Sequence, residues 1–462
     1  MTPNLPSTIA FLIWPIVALV LYSRQSVTRA TLWTILGAQL FLPPNVYYKF
    51  EMIPYFDKGS IAVFSAFIGC LFVAGRRIRF VRQLGLAEFL IFLVIFSPVV
   101  TALLNSDPVQ SGRTDLPGVG LYDGLSSALS QFVMVLPLLM GRELLRSPED
   151  TLEILRTIVI AGLIYSLPML FELRMSPVLS IWVYGITPGE MQQAFRDGGY
   201  RPIVFIGHGL GVAFYTMMSV VAAMALWRAR IRVWRLPSSG VAIYLAILLY
   251  LCKTAASLIY GTLGAALIRF AKPRLQLQIA MVLTTIVLIY PLLRSIDLVP
   301  TDAIVQNIAV ISEERAGSLK TRFDQEQLLL AHAHDRIVFG WGRFGRSRLE
   351  GSVTDGAWVI ILGQFGLVGF LALFGLISLP VFRAASALKF VKSNEESVLF
   401  AGLSLIVTFK IFDLVPNSGL EPWAMLLIGA LLGRAEALQV PVGQSLRKKA
   451  RPVAQNTLDA LP

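Results

Sequence analysis

The chain has 462 residues, 55% of them hydrophobic and only 15% charged, with a mean hydropathy of +0.68 and a formal net charge of +12. A soluble domain carries about 25% charged residues, so this composition excludes a water-soluble globular enzyme and makes lipid the solvent for most of the surface. The two cysteines, Cys70 and Cys252, imply no disulfide framework; both fall in or beside apolar segments and read as small membrane-core residues.

In chain order, the first apolar run is Ile9 to Tyr22. It lacks a basic leading region, and no small-residue cleavage site precedes Ser23, so it reads as a retained span and not as a cleaved signal. A short segment follows at Leu32 to Pro43. Further apolar stretches begin after Ser60, Glu88, Leu125, Ile154, Phe205, Val241, Ala255, Ile279, Trp358, Val398 and Trp423. Several approach the roughly 20 residues that a hydrocarbon core of about 30 Å demands. Backbone groups in lipid need partners within their own segment, so the spans are predicted to be helices.

The charge follows the same alternation. Basic clusters recur on every second loop: Arg24 and Arg29; Arg76 to Arg82; Arg142 and Arg146; Arg228 to Arg235; Arg269 to Arg274; Arg383 to Lys392; and the tail Arg447 to Arg451. The positive-inside rule makes those loops cytoplasmic and predicts roughly 13 spans, the N-terminus outside and the tail inside. Such scattered membrane-edge arginines argue against nucleic-acid binding. The organisation expected is one helical membrane domain, residues 1–440, with a flexible polar tail at 441–462. No repeat at a fixed period and no broken helix is evident. Two long external loops stand out, at 173–203 and 295–354, and long loops in compact proteins tend to be functional. The second should contain an amphipathic helix, Ser318 to His334, followed by a glycine break at Phe339-Gly-Trp-Gly342.

The stretch from Ser318 to Gly369 carries an ordered set of motifs. Arg322 opens the loop helix, Phe339 to Gly342 forms a turn, Asp355 stands at the mouth of the next span, and Gly366-Leu-Val-Gly369 lies inside it. Upstream, Gly199-Tyr-Arg-Pro-Ile-Val-Phe-Ile-Gly-His208 puts an arginine just before a span. Together these resemble the O-antigen ligase and O-antigen polymerase superfamily of bacterial envelope polysaccharide assembly, over roughly a quarter of the chain. The ligase branch usually has His where this chain has Asp355. The Asp form, Lys253-Thr254, and Asp413-Leu-Val-Pro-Asn417 look more like polymerases of exopolysaccharide systems.

The resemblance implies an all-α, GT-C-like fold in the bacterial inner membrane, with the active side facing the periplasm or cell exterior. It implies a polyprenyl-diphosphate-linked glycan as donor, and a chain-length regulator and a flippase as pathway partners. The chemistry would be metal-independent, inverting and free of cofactors. Arg201 and Arg322 suit it, because a permanently charged guanidinium can fork two oxygens of a leaving diphosphate; the alternative is a solvated or snorkelling arginine. Asp355 would serve as base or acceptor-orienting group, or else as a helix N-cap with Thr354. His208, at or just inside a span, is a further catalytic candidate, against a satisfied interhelical hydrogen bond.

Lys253, Trp341, Arg343 and Arg346 are candidate substrate-binding residues. Against them stand a snorkelling lysine, an aromatic belt that also covers Trp358 and Trp423, and a flexible basic loop. Lys410 and Asp413 are one helical turn apart and could pair. His332 and His334 have no further histidine or cysteine close enough in sequence for a metal site. A ligase, a flippase-type transporter and an envelope assembly factor are the competing readings.

Overall fold

The computed structural model describes residues 3–49, 55–82, 84–111, 114–187, 191–196, 198–310, 312–343, 345–353 and 355–439. The expected flexible tail at 441–462 and the possible cap Thr354 lie outside the described residues.

The regular structure of the described residues is almost entirely helical. The first six helices are α1 (Leu5–Arg24), α2 (Val27–Phe41), α3 (Lys58–Ile68), α4 (Leu86–Leu103), α5 (Leu121–Leu144) and α6 (Pro148–Met175). After the short α7 (Leu179–Tyr184) come α8 (Gly209–Arg228), α9 (Ser238–Leu251), α10 (Ala255–Phe270) and α11 (Pro273–Ser295). The last five are α12 (Thr301–Ala309), α13 (Glu313–His334), α14 (Ala357–Ala387), α15 (Asn394–Asp413) and α16 (Pro422–Gln439). Three two-stranded antiparallel hairpins decorate the connections: β1 (Tyr47–Tyr48) with β2 (Phe56–Asp57), β3 (Val109–Ser111) with β4 (Thr114–Leu116), and β5 (Phe195–Arg196) with β6 (Gly199–Tyr200).

Among the described residues, seven helices are long and apolar enough to cross a membrane, namely α1, α4, α5, α6, α8, α11 and α14, and α3, α9 and α10 are shorter apolar helices. The protein is therefore an all-α, multi-pass membrane protein. Helices α15 and α16 are buried along almost their whole length, at the centre of the bundle. Small residues let α16 lie directly on α5: Gly429 and Gly433 face the backbone of Leu138 and Arg142 with no room for a Cβ, as close helix packing in lipid requires.

The helices run between two chemically distinct ends. At one end arginines and glutamates tie the bundle together. Arg142 of α5 bridges Glu88 of α4 and Glu436 of α16, each at 2.8 Å; Arg383 of α14 also reaches Glu436 at 2.8 Å. Arg434 of α16 pairs with Glu396 of α15. The opposite end is where α8, α14 and α16 begin and α15 finishes, and it carries the two long connections. The first contains α7 and the β5–β6 hairpin, and the second contains α12 and α13. The expected loop helix begins earlier than Ser318: Ser312 caps it by accepting from the Arg315 N–H, and Glu313 and Glu314 favour its N-terminal dipole.

The expectation of unbroken helices is overturned at α14. Gly366 has φ 65° and ψ −165°, a conformation that interrupts the helix and that essentially only glycine adopts. The glycine turn at 339–342 lies against the break. The Trp341 and Gly342 N–H groups donate to Gly363 O at 2.8 Å and Gln364 O at 2.9 Å, while Leu367 and Val368 donate to Ile337 O at 2.7 Å and Val338 O at 3.2 Å. The turn thus satisfies backbone groups that a broken helix would otherwise leave bare in lipid.

Candidate functional site

At the end of the bundle away from the arginine–glutamate network lies a cavity of about 430 Å³. It is framed by the N-terminus of α8, helix α13, the segment before α14, and the turn joining α15 to α16. Three of the four expected catalytic residues line it: His208, Arg322 and Asp355.

Arg322 projects from α13, and its Nε stands 3.2 Å from Asp355 Oδ2; Nη1 donates to Pro416 O at 3.1 Å. The cap of α14 is Gly356, with no side-chain cap bond, so the Asp355 carboxylate faces the guanidinium and does not close a helix. The Asp355 side chain is 41% exposed and that of Arg322 29%, which leaves both reachable from the cavity. His208 caps α8, its Nδ1 accepting from the Leu210 N–H at 3.0 Å.

Helix α13 is held in place from below. Glu326, one turn after Arg322, accepts from Tyr290 OH at 3.1 Å and from Trp358 Nε1 at 3.4 Å, and stands 3.6 Å from Arg294 Nε. Burial pushes the Glu326 carboxyl above its ordinary range, against the pull of Tyr290 and Arg294.

Lys410 supplies the second strong cation. Its Nζ lies 2.9 Å from Glu421 and 4.0 Å from Asp413, over the rings of Phe214 and Trp423. Burial pushes the Glu421 carboxyl up, but Lys410 more than offsets this, and the group sits below its ordinary value. Asp413 also accepts from Asn417 Nδ2 at 2.8 Å. Sequence reasoning anticipated the Lys410–Asp413 pair but missed Glu421. That residue sits eleven positions after Lys410 in an unremarkable turn, and only the α15–α16 connection folds it back.

Other expected residues do not line this cavity. Arg201 is buried beneath its wall: its side chain lies so close to Gly209 that a Cβ there would come within 2.9 Å of Arg201 Cδ and Cζ. Lys253, at φ 52° between α9 and α10, donates to Arg196 O at 2.8 Å and so anchors the β5–β6 hairpin. Trp341 is 9% exposed, stacked on His332 with centroids 4.5 Å apart, and donates to His332 O at 2.7 Å. Arg346 is 1% exposed and donates to Trp341 O, Asp107 O and Pro117 O. Arg343 shares that loop, and burial pulls its guanidinium below the ordinary value. Arg336 completes the arrangement, over the Trp341 ring at 4.4 Å and donating to Asp107 at 3.1 Å. Arg336 and Arg346 staple the loop after α13 to the connection after α4.

The cavity therefore offers two strong cations, three carboxylates and an imidazole. Such a lining can fork an anion through Arg322 and accept hydrogen bonds from several hydroxyls. Comparison with protein-family models gives no match, and comparison with curated proteins gives none either.

Proposed function

We propose that this chain is a membrane glycosyltransferase. It polymerises polyprenyl-diphosphate-linked oligosaccharide repeat units into an envelope or exopolysaccharide, in a GT-C-like helical architecture within a bacterial inner membrane. The observation that carries this reading is the Arg322–Asp355 pair, 3.2 Å apart, at a cavity on the end of the bundle opposite the arginine-rich loops. The positive-inside rule assigns that arginine-rich end to the cytoplasm, which turns the cavity toward the periplasm or cell exterior.

At rest Arg322 neutralises Asp355. An arriving diphosphate takes the guanidinium in a bidentate grip and frees the carboxylate. Asp355 then accepts the proton of the acceptor hydroxyl as that oxygen attacks the anomeric carbon. The bond from the anomeric carbon to the phosphate oxygen breaks with inversion, and the electron pair leaves on the polyprenyl diphosphate, stabilised by Arg322. The remaining carboxylates, Asp413 and Glu421, suit sugar hydroxyls.

Replacement of Arg322 by Ala should lower turnover by roughly 10²–10³-fold, the usual scale for removing one stabiliser of developing negative charge. Arg322→Lys keeps the charge but loses the fork, and should recover only part of the activity. Glycan chain length is the readout, at matched membrane abundance. Single repeat units accumulating on lipid support a polymerase, and long chains that remain on lipid support a ligase. Wild-type chain length in both variants would remove Arg322 from the mechanism.

The broken helix α14 favours a second reading, a flippase-type transporter, because interrupted helices are common in carriers. Against it, the break is filled by the chain's own 337–342 segment. Repeat units trapped on the cytoplasmic leaflet in the Arg322 variants would select the transporter.

A further inference from the structure

A second cavity, of about 460 Å³, opens at the other end of the bundle, between the α8–α9 and α10–α11 connections. Four arginines line it, Arg228, Arg230, Arg232 and Arg269, together with Trp227 and Ser239, and no carboxylate does. This contrasts with the neighbouring network at the same end, where Arg142, Arg383 and Arg434 each meet a glutamate. The two connections, residues 229–237 and 271–272, also contain no acidic residue.

The cavity is shaped as well as charged. Arg228 donates to the carbonyls of Ile268 and Ala271 and locks one connection to the other. The α8–α9 connection is folded on itself: Ile231 N–H donates to Leu226 O at 2.9 Å, and Val233 bridges Leu236. Arg230 and Trp234 are held at φ 58° and 52°, in the left-handed region that side-chain-bearing residues avoid. Topogenesis needs only the number of positive charges near a span end. It does not need a bent, hydrogen-bonded connection that turns them into one concavity.

We infer that this cavity binds a phosphate-bearing anionic group, with the headgroup of an acidic phospholipid of the surrounding leaflet as its natural source. Arg230 and Arg232 are exposed and supply the free charge, Ser239 a hydroxyl donor, and Trp227 an amphipathic ring at interfacial depth. The site is separate from the cavity containing Arg322 and does not depend on the reaction assigned to it.

The test is native mass spectrometry of the full chain in detergent, titrated with phosphatidylglycerol or phosphatidylcholine, for three proteins. These are the wild type, Arg230→Gln/Arg232→Gln, and the control Arg76→Gln/Arg77→Gln, whose side chains are exposed at the same end. The wild type and the control should retain phosphatidylglycerol in preference to phosphatidylcholine. The Arg230/Arg232 variant should bind phosphatidylglycerol roughly thirtyfold more weakly, two arginines' contribution at a lipid surface. Inorganic phosphate is the second probe. Displacement of phosphatidylglycerol by millimolar phosphate would make a soluble phosphate a competing source for the same site, and no displacement would assign the site to the lipid. Equal loss in the two double variants, or no preference in the wild type, would overturn the inference.

Discussion

The side chains around Lys410 illustrate how a membrane interior treats charge. Its side chain is 6% exposed, and it is matched by Glu421 at 2.9 Å and Asp413 at 4.0 Å. Removing one partner of a buried ionic cluster leaves uncompensated charge and typically costs about 3–5 kcal/mol, whereas neutralising both partners is far milder. Lys410→Met should therefore destabilise the protein on that scale, and Lys410→Met/Glu421→Gln should recover much of the loss. Thermal unfolding in detergent of both single variants and the double variant measures the coupling. Additive losses would mean that the two groups do not stabilise one another. Arg346 makes a related point. It is an expected contact of an anionic substrate, yet it is 1% exposed and donates to the carbonyls of Trp341, Asp107 and Pro117. An arginine beside a span looks the same in sequence whether it grips a ligand or a backbone carbonyl.

At the scale of elements, the glycine turn at 339–342 and the Gly366-Leu-Val-Gly369 motif form one structure. They bond to each other across the interruption in α14, and the turn also places α13 over the cavity. A Cβ at Gly366 would lie 2.5 Å from Phe339 N and would have to tolerate φ 65° and ψ −165°. A Cβ at Gly340 would lie 2.6 Å from the Gln364 carbonyl carbon. Backbone cannot retreat as a flexible side chain can. Gly366→Ala should therefore cost several kcal/mol, about 1–3 from the backbone conformation alone, with the clash in addition. The measurement is folded protein recovered from membranes, which should fall sharply; Gly375→Ala, within the same helix and in ordinary van der Waals surroundings, should fall little. Normal recovery of Gly366→Ala would show that the helix can close without its break.

For the molecule as a whole, the two ends differ in how charge is organised, and that difference can be measured without any substrate. Ser418 lines the Arg322 cavity, Lys392 lies beside the arginine–glutamate end, and both are exposed. Cysteines placed singly at 418 and 392 should react with a membrane-impermeant maleimide from opposite sides of the bilayer, position 418 in intact cells and position 392 only after lysis. The native thiols, Cys70 and Cys252, are buried and should label little. Labelling of both positions from one side would refute the orientation, and with it the placement of the candidate site.

Much of the architecture was legible in the sequence, because apolar length and the alternation of basic loops are properties of individual segments in contact with one solvent. The helical membrane fold, the two long connections, the loop helix carrying Arg322, and Asp355 at the mouth of a span could all be read locally. The broken helix could not: Gly366 is ordinary in an apolar run until another backbone segment occupies the space beside it. Nor could the composition of the cavity. Arg322, Asp355, His208 and the Lys410–Glu421 pair are drawn from segments far apart in the chain. Only helix packing decided which polar side chains meet there and which, like Trp341 and Lys253, turn away to satisfy the backbone.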